Sequence, residues 1–263
     1  MNKVKDYPNF WQSLYLIIVL TLQQIILFIL CGLIGMKFNY HFERNLFVIG
    51  LINLVTFGAA LYKGLKMNYW NYSKVFPMRL PRIRMFPIAI IIFVGVSLCC
   101  VYLNNFFDNL FNIPKDMFNI YNIQYDLFGV IFTLLVIAPI TEELFFRGVI
   151  LNGFLSRYGI SKSIILSGIL FGVFHLNPSI IPGAIIGGII FAWIAIKENS
   201  LVLPIIGHIV YNSITIINKY NKVEIKKLMF VSSIKEEYLL LSGIIMLLIG
   251  LTIFYKNYMY NKK

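Results

Sequence analysis

Apolar residues along this chain gather into long, nearly uninterrupted runs, without the alternation of apolar and polar positions that marks a strand. Runs of about 17 to 25 apolar residues are long enough to cross a hydrocarbon core of about 30 Å as helices. We predict about eight membrane-spanning helices, at residues 11–36, 45–62, 86–103, 127–155, 163–176, 183–196, 201–217 and 237–255. The predicted fold is therefore all-α, a polytopic membrane helix bundle.

Two predicted helices, 163–176 and 183–196, are shorter than a full crossing, and Pro178 and Pro182 lie between them. We expect both to cross incompletely and to border a water-filled cavity, because irregular backbone at membrane depth needs protein or water around it. No repeat or second domain is visible. We therefore predict a single transmembrane domain over 1–263, with N-terminal spans at 1–126, a core at 127–217 and a C-terminal span at 218–263.

The composition supports a membrane location. Hydrophobic residues make up 59% of the chain and charged residues 13%, whereas soluble domains have about 25% charged residues. The net charge of +12 comes from Lys and Arg beside the apolar runs, which topology and anionic lipid explain better than nucleic acid. The three cysteines lie in or beside apolar runs and form no disulfide framework or metal-binding pair.

Charges in the predicted loops indicate the orientation of the chain. The loop between the second and third helices has only basic charges: Lys63, Lys66, Lys74, Arg79, Arg82 and Arg84. The next loop, 104–126, has mainly acidic charges and several asparagines: Asp108, Asp116 and Asp126 against Lys115, with Asn104, Asn105 and Asn109. We predict that the first loop is cytoplasmic, the second external, and both termini cytoplasmic, in a cell membrane.

The loop at 218–236 does not fit this orientation. It is rich in lysine, yet a count of eight crossings places it outside. Either this loop is an interfacial segment or one of the short helices does not cross.

Three charged residues lie inside the fourth predicted helix: Glu142, Glu143 and Arg147. A charge at a helix centre in a membrane costs roughly 2.5 to 3.5 kcal/mol, so such residues usually mark a functional site. Glu143 and Arg147 share a helix face and are predicted to form an ion pair, while Glu142 points roughly 100° away. Pro139, one turn earlier, is expected to distort the helix and make room there.

Further polar residues follow in the next helices. Glu142 and His175 lie at similar distances on either side of a predicted turn at 157–159, so an antiparallel hairpin would set them side by side. His208 and Asn212 share one face of a later helix. Three helices can therefore converge on one intramembrane cavity. His41 lies in a predicted short external loop, and we treat it as a solvent-facing residue.

These groups suit hydrolysis of a peptide bond. Glu142 with His175 would activate a water molecule, and His208 with Asn212 would donate hydrogen bonds to the oxyanion. Alternatively, Glu142, His175 and His208 could bind Zn²⁺ with an open position for water. The spacing does not separate a zinc enzyme from a metal-free one. A serine nucleophile is disfavoured, because no serine here lies in a Gly-x-Ser-x-Gly context.

The order of these residues resembles a known family. The motifs are Glu-Glu-x-x-x-Arg at 142–147, Phe-x-x-x-His at 171–175 and His-x-x-x-Asn at 208–212, all intact and in sequence. They make the chain resemble the CAAX-protease and bacteriocin-processing (CPBP) family of intramembrane endopeptidases, also called the Abi family. The first half of the chain is similar only in consisting of hydrophobic helices.

The resemblance implies an eight-helix bundle with a cavity open to the cytoplasm, which cleaves peptides near their C-terminus. Glu142 would be the water activator, His175 its partner, and His208 and Asn212 the oxyanion donors, with Glu143 and Arg147 in support. Eukaryotic members act on prenylated CAAX peptides, and bacterial members resemble maturation or self-immunity factors for secreted peptides. The Lys-, Asn- and Ile-rich composition is typical of AT-rich bacterial genomes, where prenylated CAAX substrates are not expected. We therefore expect a membrane-associated peptide or protein as substrate.

Two other functions fit parts of the pattern. A catalytically silent relative could protect the cell by binding a bacteriocin or a receptor, and its function would survive substitution of Glu142 by Gln. A proton-coupled transporter would also use intramembrane carboxylates and histidines. Transporters often show repeated halves with helices broken at matching places, whereas the ionisable residues here are confined to the second half.

Overall fold

Every apolar run predicted from the sequence is helical. The computed structural model describes residues 7–69, 71–112, 127–220 and 236–260, and it contains no strand within these ranges. We number the eight long helices in chain order: α1 (Phe10–Phe38), α2 (Leu46–Met67), α3 (Met85–Leu110), α4 (Leu127–Tyr158), α5 (Ile160–Phe174), α6 (Ile180–Glu198), α7 (Val202–Tyr220) and α8 (Glu236–Tyr260).

Six of these helices are long and apolar enough to cross a membrane: α1, α2, α3, α4, α6 and α8. The apolar parts of α5 and α7, Ile160–Phe174 and Val202–Ile216, are shorter. Large apolar side chains such as Ile18, Leu22 and Leu248 are more than half exposed, as expected of helices that face lipid. The protein is thus a polytopic helical membrane protein, as the sequence predicts.

The prediction of a short helix at 183–196 was wrong. Helix α6 begins at Ile180 and is long enough to span the bilayer. Pro182 lies in its first turn, where backbone N–H groups have no partner within the helix, so a proline costs no hydrogen bond there. The proline was therefore mistaken for a helix boundary.

The prediction that a loop begins at residue 104 was also wrong. Helix α3 continues to Leu110 and includes Asn104, Asn105 and Asn109. In contrast, the predicted turn at 157–159 is confirmed. Gly159 joins α4 to α5 with a φ of +74°, and Asn199 ends α6 in the left-handed conformation.

The chain folds as two compact units. The first comprises residues 1–78 and 114–170, and the second comprises residues 79–113 and 171–263. In the first unit, α1 and α4 both pack against α2. A Cβ at Gly64 of α2 would lie 2.7 Å from Val149 Cγ2 of α4, and Thr133 of α4 donates to the Leu46 carbonyl at 2.6 Å.

The second unit is organised around α3, which packs against α6, α7 and α8. Its core is a cluster of buried side chains: Met85, Ile88, Ala89, Ile92, Phe93, Val96, Cys100, Phe191, Ile194, Leu203 and Phe254. Close helix contacts use glycines, since a Cβ at Gly95 would lie 2.8 Å from the Gly243 carbonyl oxygen of α8. Small residues allow such approaches between membrane helices.

Several predictions about topology stay predictions. These are the cytoplasmic termini, the orientation of the loops, and the single domain with its core at 127–217. Helix α7 continues to Tyr220, so the predicted loop at 218–236 does not begin at 218; residues 221–235 of that loop and 113–126 of the loop at 104–126 lie outside the described residues.

Candidate active site

Helix α4 carries the acidic motif and is wider than an ordinary α-helix on both sides of it. Residues Val130–Ile137 and Leu144–Ile150 are π-helical, and the N–H of Leu151 donates to the carbonyl of Phe146, five residues earlier. Between these stretches lies the α-helical segment Ala138–Glu143, which includes Pro139. The distortion expected at the proline therefore takes the form of wide helical turns, which are frequent at functional sites.

The predicted ion pair is present in α4. Arg147 Nε lies 3.1 Å from Glu143 Oε2, and both side chains are fully buried. Glu142, the preceding residue, is partly exposed. The two adjacent carboxylates therefore have different surroundings. The Glu143 side chain is fully enclosed with Arg147, whereas the Glu142 residue is partly exposed although its Oε2 is buried.

Packing holds this turn of α4 in place. Phe145 and Phe146, which follow the two glutamates, are both fully buried, and the Phe145 ring meets the Phe57 ring of α2 edge to face at 5.6 Å. Ser167 of α5 donates to the Phe146 carbonyl at 3.2 Å. The motif is thus attached to a neighbouring helix on each of two sides.

His175 lies just after the end of α5. Its Nδ1 is 2.9 Å from the carbonyl oxygen of Phe171, one turn earlier. Because a carbonyl only accepts, Nδ1 carries the proton in this hydrogen bond, and Nε2 is the acceptor nitrogen of the neutral ring. This tautomer suits a histidine that accepts a proton or a water hydrogen through Nε2.

His208 lies on α7 and is 4% exposed. Its ring is 5.8 Å from the Phe171 ring, edge to face, and 5.9 Å from the Phe191 ring. The Phe171 ring also meets the His175 ring at 5.0 Å. The structure therefore brings His175 and His208 to the same phenylalanine ring, and Asn212 follows His208 by one helical turn.

The role of Phe171 as the ring between two histidines was missed in the sequence. Its spacing of four residues from His175 was a usable signal, since residues i and i+4 are neighbours on a helix. The contact with His208 depends on how α5 and α7 pack, and the sequence carries no local sign of it. His41, by contrast, was predicted to face solvent, and its side chain is 60% exposed.

The zinc alternative needs Glu142, which lies in the first unit, together with His175 and His208, which lie in the second. Across the described residues, no group of three or more His, Cys, Asp or Glu side chains is arranged to hold a metal ion. Convergence of Glu142, His175 and His208 on one cavity stays a prediction.

Residues 124–214 match the family model described as type II CAAX prenyl endopeptidase Rce1-like. This segment contains all three motifs, and the match confirms the predicted resemblance to the CPBP family. The match supports the assignment of the protein as an intramembrane protease that acts on a peptide or protein substrate. No curated protein and no solved structure matches the chain.

Proposed function

We propose that the protein is a glutamate-dependent intramembrane endopeptidase that hydrolyses a peptide bond near the C-terminus of a membrane-associated peptide or protein. The observation that carries this proposal is the difference between the two adjacent glutamates. Glu143 is fully buried against Arg147, whereas Glu142 is partly exposed. Neighbouring titratable groups held in different environments usually have different roles in a catalytic site.

In the proposed reaction Glu142 acts as the general base. It takes a proton from water while the water oxygen attacks the carbonyl carbon of the scissile peptide bond. His175 orients this water through Nε2, because its Nδ1 proton is held by the Phe171 carbonyl. The protonated Glu142 then gives its proton to the leaving amine, and the C–N bond breaks.

His208 and Asn212 are the proposed oxyanion donors. An asparagine amide and an imidazole N–H can both donate to the oxygen that becomes negative when water attacks. The surroundings of His208 support a fixed ring, because aromatic side chains lie against it and it is almost fully buried. Donors that are already oriented stabilise the transition state without reorganising during the reaction.

Glu143 and Arg147 have a supporting role. Their ion pair fixes the register of the turn that carries Glu142. The biological role that we propose is maturation of a peptide or self-immunity to a bacteriocin.

The test is cleavage of a peptide library by detergent-purified protein, read by mass spectrometry. The library contains each peptide with a free and with an amidated C-terminus. We expect the wild type to cut near free C-termini, and the Glu142→Gln variant to leave the peptides intact. Glu237→Gln is the matched control, because Glu237 is an exposed glutamate at the start of α8.

A zinc chelator separates the two mechanisms. Cleavage that persists with chelator and needs Glu142 supports the metal-free reaction. Loss of cleavage with chelator, restored by Zn²⁺, would contradict it. Equal cleavage by the wild type and the Glu142→Gln variant would overturn the assignment of Glu142.

A further inference from the structure

Helix α7 has a packing stripe made of Leu203, Gly207 and Tyr211, each four residues from the next. Leu203 is fully buried in the core around α3, and the Tyr211 ring packs at the edge of this core. A Cβ at Gly207 would lie 2.4 Å from the Phe93 ring of α3. This stripe is therefore the surface through which α7 contacts α3.

His208 and Asn212 form the adjacent stripe on the same helix. Each lies one residue after a member of the packing stripe, which places it roughly 100° further round the helix axis. The direction in which these two side chains point therefore depends on how α7 is rotated against α3.

Tyr211 makes a directional contact across this interface. Its hydroxyl lies against the side chains of Cys100 and Asn104 of α3, within reach of a hydrogen bond with each. Apolar packing by Leu203 and Gly207 is non-directional and tolerates small rotations. A hydrogen bond requires a defined distance and angle, so the tyrosine hydroxyl limits rotation more strongly.

The groups on α3 that hold the tyrosine hydroxyl are themselves fixed. Cys100 Sγ donates to the Gly183 carbonyl of α6 at 3.3 Å. With its amide turned so that the nitrogen faces the two neighbouring carbonyls, Asn104 donates to the carbonyl oxygens of Cys100 at 3.1 Å and of Ser179 at 3.0 Å. The Ser179 hydroxyl in turn donates to Asp108, one turn further along α3. The tyrosine is thus attached to a polar network that joins α3 to the start of α6.

We infer that Tyr211 is a positioning residue for the active site. Its hydrogen bonds with Cys100 and Asn104 fix the rotation of α7 and thereby orient His208 and Asn212. The consequence for catalysis rests on the proposed function, in which these two residues donate to the oxyanion. The orientation of His208 itself does not depend on that function.

The first test measures the environment of His208 and does not require peptide cleavage. The Tyr211→Phe variant removes only the hydroxyl, and NMR of histidine-labelled protein reports on the three histidines of the chain, assigned by single substitutions. We expect the His208 signal to shift and the exposed His41 signal to stay. Tyr102→Phe, at a partly buried tyrosine of α3, is the matched control. An unchanged His208 signal would overturn the inference.

The second test reads catalysis on a peptide that the wild type cleaves. A small displacement of transition-state donors lowers the reaction rate and spares substrate binding, so we expect kcat to fall roughly ten- to one hundred-fold with KM nearly unchanged. In a background with both His208→Ala and Asn212→Ala, Tyr211→Phe should have little further effect, because residues that act together are not additive. A fully additive loss would overturn the inference.

A second variant, at a different residue of the same contact, keeps the test valid if Tyr211→Phe fails to fold. Cys100→Ala removes one of the two partners of the hydroxyl, and it should shift the His208 signal in the same direction by a smaller amount. A shift in neither variant contradicts the inference. If the wild type cleaves no peptide, the proposed function fails, while the NMR comparison still decides whether Tyr211 orients His208.

Discussion

Arg147 Nε lies 3.1 Å from Glu143 Oε2, and neither side chain is exposed. Each charge makes the burial of the other tolerable, because an isolated ion in an apolar interior carries a desolvation cost of several kcal/mol. The pair also fixes the helical turn that presents Glu142. The stability of α4 and the geometry of the candidate active site therefore depend on the same contact.

Substitution of Arg147 by Met is expected to destabilise the protein strongly. It leaves the buried Glu143 carboxylate without its cation, and breaking such a pair costs about 3 to 5 kcal/mol. Thermal unfolding in detergent measures the effect. The double variant Glu143→Gln with Arg147→Met should recover part of the loss, because no charge then stays buried. A single variant as stable as the wild type would show that the pair does not support the fold.

Substitution of Gly148 by Ala tests the packing beside the ion pair. The added Cβ would lie 2.7 Å from the Phe76 ring and 2.9 Å from the Val75 carbonyl oxygen. Overpacking of this kind costs about 1 to 3 kcal/mol. Gly58→Ala is the matched control, since its Cβ would meet no atom within 4 Å. Equal unfolding temperatures for the two variants would contradict the packing described for α4.

Substitution of Phe171 by Leu tests the ring between the two histidines. Loss of the aromatic contacts is expected to cost about 1 to 2 kcal/mol and to lower kcat roughly tenfold through misplaced imidazoles. Phe106→Leu is the control, because that ring is 48% exposed and packs on Phe107. Peptide cleavage and thermal unfolding measure both effects. Wild-type turnover in the Phe171→Leu variant would contradict a role for this ring.

Much of the fold could be predicted from local sequence patterns. Apolar runs located all eight helices, because burial in lipid demands continuous apolar surface. The spacing of Glu143 and Arg147 predicted their ion pair, because residues i and i+4 meet on any helix. Gly159 marked the end of α4, where its positive φ is needed.

Other features depend on context that the sequence does not show locally. From the sequence alone, Pro182 predicts a helix boundary. Only the structure shows that the helix begins two residues earlier and contains this proline in its first turn. Asn104 looks like a loop residue, yet it lies in a membrane helix, where its amide can donate to the Cys100 carbonyl one turn earlier and to the Ser179 carbonyl beside α6. No sequence pattern distinguishes the π-helical turns around Pro139 from α-helical ones, because both would consist of the same kind of apolar residues.

The most direct test of the account is the turnover number of the Glu142→Gln variant on a peptide that the wild type cleaves. Gln keeps the size and polarity of the side chain and removes the base, so substrate should still bind. General-base catalysis contributes about 10²- to 10⁴-fold, and we predict a fall in kcat of that order with Glu237→Gln unchanged. Turnover by Glu142→Gln at the wild-type rate would contradict the proposed mechanism.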